Sequence, residues 1–146
     1  MEIVQVDLTN VVEVAGLFDS YRVFYNQTSD IIGATNFLKE RINNKESIIF
    51  AAKIAGEFVG FTQIYPTFSS VAMKPAFILN DLFVADYSRR SGVAEKLMEE
   101  AFEYAKKNNG RFLTLETGFS NTKAQALYEK MGMENDGDVK HFTYYW

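Results

Sequence analysis

Asn121 and Tyr128 stand seven positions apart in the run NTKAQALYEKMGM. On an α-helix at about 100° per residue, that spacing returns both to nearly one azimuth, about 10.5 Å apart along the axis. One stripe then carries a carboxamide at the helix mouth and a phenol two turns on. The small Ala124 between them leaves a low surface for an extended ligand. The plain alternatives are an N-cap role for Asn121 and core packing for Tyr128 beside Leu127 and Met131. A second run, ILNDLFVADYSRRSGVA from Ile78 to Ala94, reads as an apolar strand, a short turn and the opening of a helix. Arg89 and Arg90 sit at that mouth, where unpaired backbone N–H groups and the positive end of the helix dipole suit phosphate. Gly92 and Ala94 remove bulk where phosphates would approach the backbone.

Composition narrows the chemistry. The 146 residues include no cysteine and one histidine, His141. Disulfides, cysteine nucleophiles, thiolate sites and two-histidine zinc sites are thereby excluded, and no metal is expected. No G-x-S-x-G elbow and no G-x-x-x-x-G-K-[ST] loop is present. A formal net charge of −4 and a pI near 5.0 argue against nucleic acid or an anionic membrane as partner. The N-terminus lacks the basic and apolar regions of a signal peptide, and no apolar run is long enough to span a bilayer. A cytoplasmic protein of one domain, residues 1–146, is expected. A chain of this length buries roughly 68–70% of its unfolded surface.

The elements that must position these groups can be read in order. Glu2 to Leu8 alternates as a strand, and Thr9 or Asn10 caps a helix with Val11, Val14, Ala15, Phe18 and Val23 on one stripe. Ser29 or Asp30 opens a second helix through Ile31, Ile32, Phe37, Leu38 and Ile42. Ser47–Ile54 and Glu57–Tyr65 are strands joined by a hairpin turn at Ala55-Gly56. Pro66–Pro75 reads as a polar connection and Ala76–Val84 as a fourth strand. Ser91–Asn108 is an amphipathic helix with Ala94, Leu97, Met98, Ala101 and Ala105 on one face. Arg111–Thr117 is a strand, Asn121–Met131 a helix, Met133–Asp138 a short strand, and Val139–Trp146 a last aromatic strand carrying His141 at an edge. Such alternation builds a mixed α/β sheet with helices on its faces.

The spacing Arg89-x-x-Gly92-x-Ala94 resembles the pyrophosphate loop of the GNAT N-acetyltransferase superfamily. The Asn121–Gly132 segment resembles that family's N-x-x-A-x-x-L/F-Y-x-K-x-G run, and the element order is similar over essentially the whole chain. The resemblance implies the GNAT fold, with six to seven strands and about four helices, and acetyl-CoA as cosubstrate. It assigns the diphosphate to the loop of Arg89, Arg90, Ser91, Gly92, Val93, Ala94 and Glu95. The pantetheine and acetyl carbonyl fall to the backbone of Leu82, Phe83 and Val84, with Asn121 and Ala124 beside the pantetheine. By the same resemblance, Tyr128 is expected to protonate the departing sulfur. A phenol near pKa 10 is weaker than a thiol near 8.5 by about 1.5 units, or roughly 2 kcal/mol, and apolar burial of the thiolate narrows the gap.

An attacking alkylamine, with a pKa near 10.4, must first lose a proton. Asp81 and Glu116 are the nearest carboxylates to take it. With no cysteine to carry an acyl group, transfer is expected to be direct, within a ternary complex. The segments Tyr65–Ser70 and Asn80–Val84 look like the spermidine/spermine branch, where a Glu-Asp pair holds the amine. Here Asp81 matches and Asn80 replaces the glutamate. Acceptor residues are expected at Tyr21, Arg22, Tyr25, Asn80 and Asp81. Arg22 either clamps a substrate carboxylate or pairs with Asp19 or Asp30; facing the pocket, it favours an amino-acid-like amine. The expected activity is N-acetylation of a small-molecule primary amine. Alternatives are a protein or peptide acceptor on the same fold, or a non-catalytic acyl-CoA sensor. The aromatic C-terminus serves either the core or a homodimer interface.

Overall fold

A computed structural model describes residues 1–146. The chain divides into two compact units, Met1–Glu116 and Thr117–Trp146.

The first unit holds a five-stranded sheet in chain order: β1 (Glu2–Gln5), β2 (Ile48–Ile54), β3 (Glu57–Ser69), β4 (Lys74–Val84) and β5 (Leu113–Thr114). The first three pairings are antiparallel and β4–β5 is parallel, so the sheet is mixed. Three helices accompany it: α1 (Val11–Phe24), α2 (Ile31–Asn43) and α3 (Val93–Lys107). Alternate residues of a strand face opposite sides, and the two sets in β2 pack differently. Ile49 and Ala51 join Phe61 in a core with Val11, Val14, Phe18 and Leu38 of α1 and α2. Phe50 points the other way, edge-on to Tyr104 of α3 at 5.8 Å. The sheet is therefore covered on both faces.

Several boundaries differ from the sequence reading. The segment Pro66–Pro75 is not a connection. β3 and β4 pair through it, Pro66 opposite Phe77 and Phe68 opposite Pro75, and turn only at Ser70–Met73. β2 begins opposite Ile64, so β3 overhangs it there and a residue without an N–H deprives no neighbour. The expected hairpin turn does form, with φ of 50° at Ala55 and 82° at Gly56, as a tight turn of that hand requires. The strand expected over Arg111–Thr117 shortens to Leu113–Thr114, opposite Phe77 and Ile78. Val23 and Ile32, placed on apolar stripes, are exposed, while Ala34 and Leu38 carry the buried face of α2.

The second unit contains α4 (Thr122–Lys130). Neither Met133–Asp138 nor Val139–Trp146 forms a strand, so the sheet has five strands rather than six or seven. Alternation makes a segment competent for a sheet; pairing needs a neighbour.

Candidate active site

The β3–β4 ladder carries a bulge where the chemistry gathers. Gln63 lies opposite Asp81 and Ile64 opposite Leu79, so Asn80 is an extra residue. A bulge re-aims the side chains beside it. Phe61, Gln63 and Tyr65 share one face of β3 by alternation, the face covered by α1 and α2. There a cavity of about 560 Å³ opens, with Asp81 and Asn80 from β4, Tyr65 from β3, Tyr21, Arg22 and Phe18 from α1, and Asp30 and Phe37 from α2 among its lining. Tyr25 and Gln27 complete its wall between the two helices. All five expected acceptor residues thus line one space.

Asp81 is 3% exposed. Its carboxylate accepts from Gln63 Nε2 and from Asn80 Nδ2, the latter at 3.0 Å. Burial pushes its pKa above the usual carboxylate range, against the hydrogen bonds from Gln63, Asn80 and Tyr21, which favour the charge. Burial raises the Tyr21 phenol, and the Asp81 charge raises it further. The same two causes, burial foremost, push Tyr65 to about 12. Both phenols therefore remain protonated and present donors. Gln63 is wholly buried, and its Oε1 has no hydrogen-bond partner. Sequence reading missed it; a lone carboxamide in the apolar run FVGFTQIY was the available signal. Phe18 and Phe37 were read only as core and prove to line the cavity.

Arg22 is held at one end: its Nη1 donates to the Thr28 carbonyl at 3.2 Å and lies 3.9 Å from Asp19 Oδ1. The Asp19 carboxylate already accepts from Ser29 Oγ and the Asp30 N–H. Asp30 itself caps α2, accepting from the Gly33 N–H at 2.9 Å. Of the two outcomes foreseen for Arg22, the pairing with Asp19 is the one present, and the side chain also lines the cavity.

The loop after β4 runs through a single 3₁₀ turn, Asp86–Ser88. Arg89 ties it down, pairing with Asp86 at 2.7 Å and donating from Nε to the Val84 carbonyl at 2.9 Å. Arg90 is exposed at φ 63°, and Gly92 at φ 81° precedes α3 with no side chain capping that helix. The first N–H groups of α3, at Val93 and Ala94, are thus left to a ligand or solvent, and Glu95 lies in the same first turn. An added Cβ at Gly92 would meet nothing within 4 Å. Ser91 Oγ donates to the Ser88 carbonyl and is occupied locally.

β4 is also open along one side. β5 pairs with it only at Phe77 and Ile78, so its later residues have no strand there. The Ala85 N–H bonds to Val59 of β3. Alternation then turns Phe83 toward β3 and leaves the backbone groups of Leu82 and the N–H of Val84 on the open edge, the Val84 carbonyl being taken by Arg89. Of the three residues expected along a pantetheine arm, Phe83 is paired within the sheet. Glu116, expected on the fifth strand, lies beyond it and is exposed.

In the second unit, Asn121 is the N-cap of α4, its Oδ1 accepting from the Ala124 N–H at 3.4 Å. Tyr128 and Ala124 are half-buried on that helix.

The family model for the acetyltransferase (GNAT) family matches residues 14–133. The chain belongs to the GNAT family. An uncharacterized N-acetyltransferase of Bacillus subtilis, YhfO, is 48% identical over 142 residues, covering 97% of this chain and 95% of that protein. The crystal structure of a probable acetyltransferase superposes with a TM-score of 0.95 at 36% identity, covering 100% of this chain and 98% of that one. A ribosomal-protein-alanine N-acetyltransferase from Brucella melitensis shares the fold, with a TM-score of 0.82 at 18% identity and full coverage of both chains. The chain is an acetyltransferase of a family that uses acetyl-CoA and acts on amines. No helix is long and apolar enough to cross a membrane.

Proposed function

We propose that this GNAT enzyme moves an acetyl group from acetyl-CoA to the primary amine of a small molecule, directly, within a ternary complex, with Tyr128 as general acid. The observation that carries the acceptor side is the cavity with buried Asp81 in its lining, aromatic side chains around it and a volume within the range of small-ligand sites. The donor side rests on residues that fit a diphosphate and an extended arm: the uncapped N-terminus of α3 behind Gly92, Arg89 and Arg90, and the open edge at Leu82 and Val84. Asn121 and Ala124 are assigned to the same arm by their pattern. Acetyl-CoA, when bound, supplies the acyl group as an activated thioester.

Asp81 receives the ammonium of the acceptor. A carboxyl whose pKa is raised by burial is a stronger base than an ordinary one and better matched to removing a proton near neutrality. Glu116 is the other candidate base. The new C–N bond forms as the C–S bond breaks; the amine proton leaves through the base, and Tyr128 gives its proton to sulfur and recovers one from solvent. A backbone N–H of the β4 edge is suited to the developing oxyanion. Acetyl-CoA is to be incubated with a panel of amines and free thiol measured. Thiol release should depend on the amine, and Tyr128→Phe should lower turnover about 10²–10⁴-fold with little change in cofactor affinity. Amine-independent release, or an acyl-enzyme adduct in the intact mass, defeats the reading.

A protein N-terminus is the second reading, favoured by the shared fold of the ribosomal-protein-alanine enzyme. Peptides outcompeting every free amine in the same assay would select it. We also propose a cytoplasmic protein of one functional domain that self-associates through its aromatic C-terminus.

A further inference from the structure

Resting on the amine-acetyltransferase reading, we propose that the acceptor carries an anionic group as well as its amine, so that the cavity under α1 and α2 takes an amino-acid-like molecule with an apolar or aromatic body and rejects polyamines.

The charges lining the cavity decide this. They are Arg22, Asp30 and Asp81. Asp30 is engaged as the cap of α2, accepting from the Gly33 N–H, and its charge answers the positive end of that helix. That leaves Asp81 buried and Arg22 partly exposed on the wall, its Nη1 3.9 Å from an Asp19 carboxylate that Ser29 and the Asp30 N–H already engage. Between the strands and the helix end lie rings: Tyr21 and Tyr25 meet edge to face at 5.0 Å, and Phe18 and Phe37 stack at 5.7 Å.

One anion and one cation in a ring-lined space describe a dipolar guest. An ammonium at Asp81 gains a charge-assisted hydrogen bond, and the rings add cation–π attraction. A carboxylate at Arg22 meets a planar fork of donors, of which Nη1 is already fixed by the Thr28 carbonyl. Anchoring of that kind means less freedom is lost when a ligand binds. A polyamine would bring a second ammonium toward Arg22. Like charges brought close in a partly desolvated space repel. Asn80 in place of a second acid fits the same account, since beside Asp81 it adds no charge and the other carboxylate of the wall, Asp30, is engaged as the cap of α2.

The test uses matched amines that differ only by a carboxylate: tyrosine against tyramine and phenylalanine against phenethylamine. Binding is measured by calorimetry and kcat/KM by thiol release with acetyl-CoA. The acid-bearing member should be preferred about tenfold or more, the difference residing in KM. Arg22→Gln should erase that preference, and Arg22→Lys should restore part of it without the fork; equal melting temperatures show that neither variant has unfolded. Equal or better use of the carboxylate-free amines overturns this inference and leaves the amine-acetyltransferase reading standing. No thiol release from any amine, with coenzyme A still bound, overturns both.

Discussion

Asp81 and Gln63 form the sharpest feature at the scale of single residues. A buried carboxylate is tolerated because Gln63, Asn80 and Tyr21 donate to it, yet Gln63 keeps a buried Oε1 without a partner. Such a group costs about 1–3 kcal/mol. Asp81→Asn should relieve the arrangement, since the Gln63 amide can turn over and offer that oxygen to the new N–H₂. The sign with pH follows from the raised pKa. The folded state holds the Asp81 proton more tightly than the unfolded chain, so its contribution is complete below the ordinary carboxylate pKa and is lost as pH rises through the folded value. Asp81→Asn should therefore melt higher than the parent at pH 7, with the gap closing as pH falls through the carboxylate range, while amine turnover drops. A gap that widens toward acid pH would mean the carboxylate is not strained by burial. Gln63→Leu should be more destabilising at neutral than at acid pH in urea titrations, because the buried charge loses a donor only where it exists, while the unpartnered oxygen is removed at every pH.

At the scale of elements, the loop between β4 and α3 holds unfavourable backbone in the place proposed for phosphate. Arg90 at φ 63° and Gly92 at φ 81° lie two residues apart. A left-handed arginine costs about 1–2 kcal/mol that glycine does not pay. Arg90→Gly should thus leave stability equal or slightly higher in thermal melts while weakening coenzyme A binding severalfold; unchanged affinity would make Arg90 a surface charge only. Gly92→Ala meets no atom, so its cost of about 1 kcal/mol should come from the backbone alone. This loop was legible in the sequence because glycine spacing and paired arginines are local signals. So was α4, whose N-cap and stripe lie within one short segment. The bulge at Asn80 was not, since it exists only in the pairing of β3 with β4, and Gln63 became significant only once that pairing set it opposite Asp81. The Pro66–Pro75 segment failed for a related reason: proline argues against a strand until the free side of an overhanging hairpin removes the objection.

At the scale of the whole chain, the C-terminal aromatics pose the remaining physical problem. Phe142, Tyr144, Tyr145 and Trp146 are each more than four-fifths exposed and belong to no strand. The sequence reading gave them two uses, core or subunit interface, and within this chain they are not core. Surface rings scattered singly need no explanation, but a contiguous run of them marks a contact. Its β-prone aromatic composition is suited to pairing with another strand, and a two-fold dimer would satisfy both copies alike. Trp146 is the one tryptophan, so its fluorescence reports on this segment alone. Emission should be that of solvated indole at high dilution and should shift to the blue, with acrylamide quenching reduced, as concentration rises through the range where sedimentation shows dimers. Replacing Phe142 and Tyr144 by serine should abolish both the shift and the dimer. The β2–β3–β4 ladder lies within Met1–Glu116, so its backbone amides should keep their hydrogen-exchange protection in that variant. A blue-shifted, unquenchable Trp146 in a protein that sediments as a monomer at every concentration would show instead that the chain buries its own end, and self-association would no longer be needed to account for these rings.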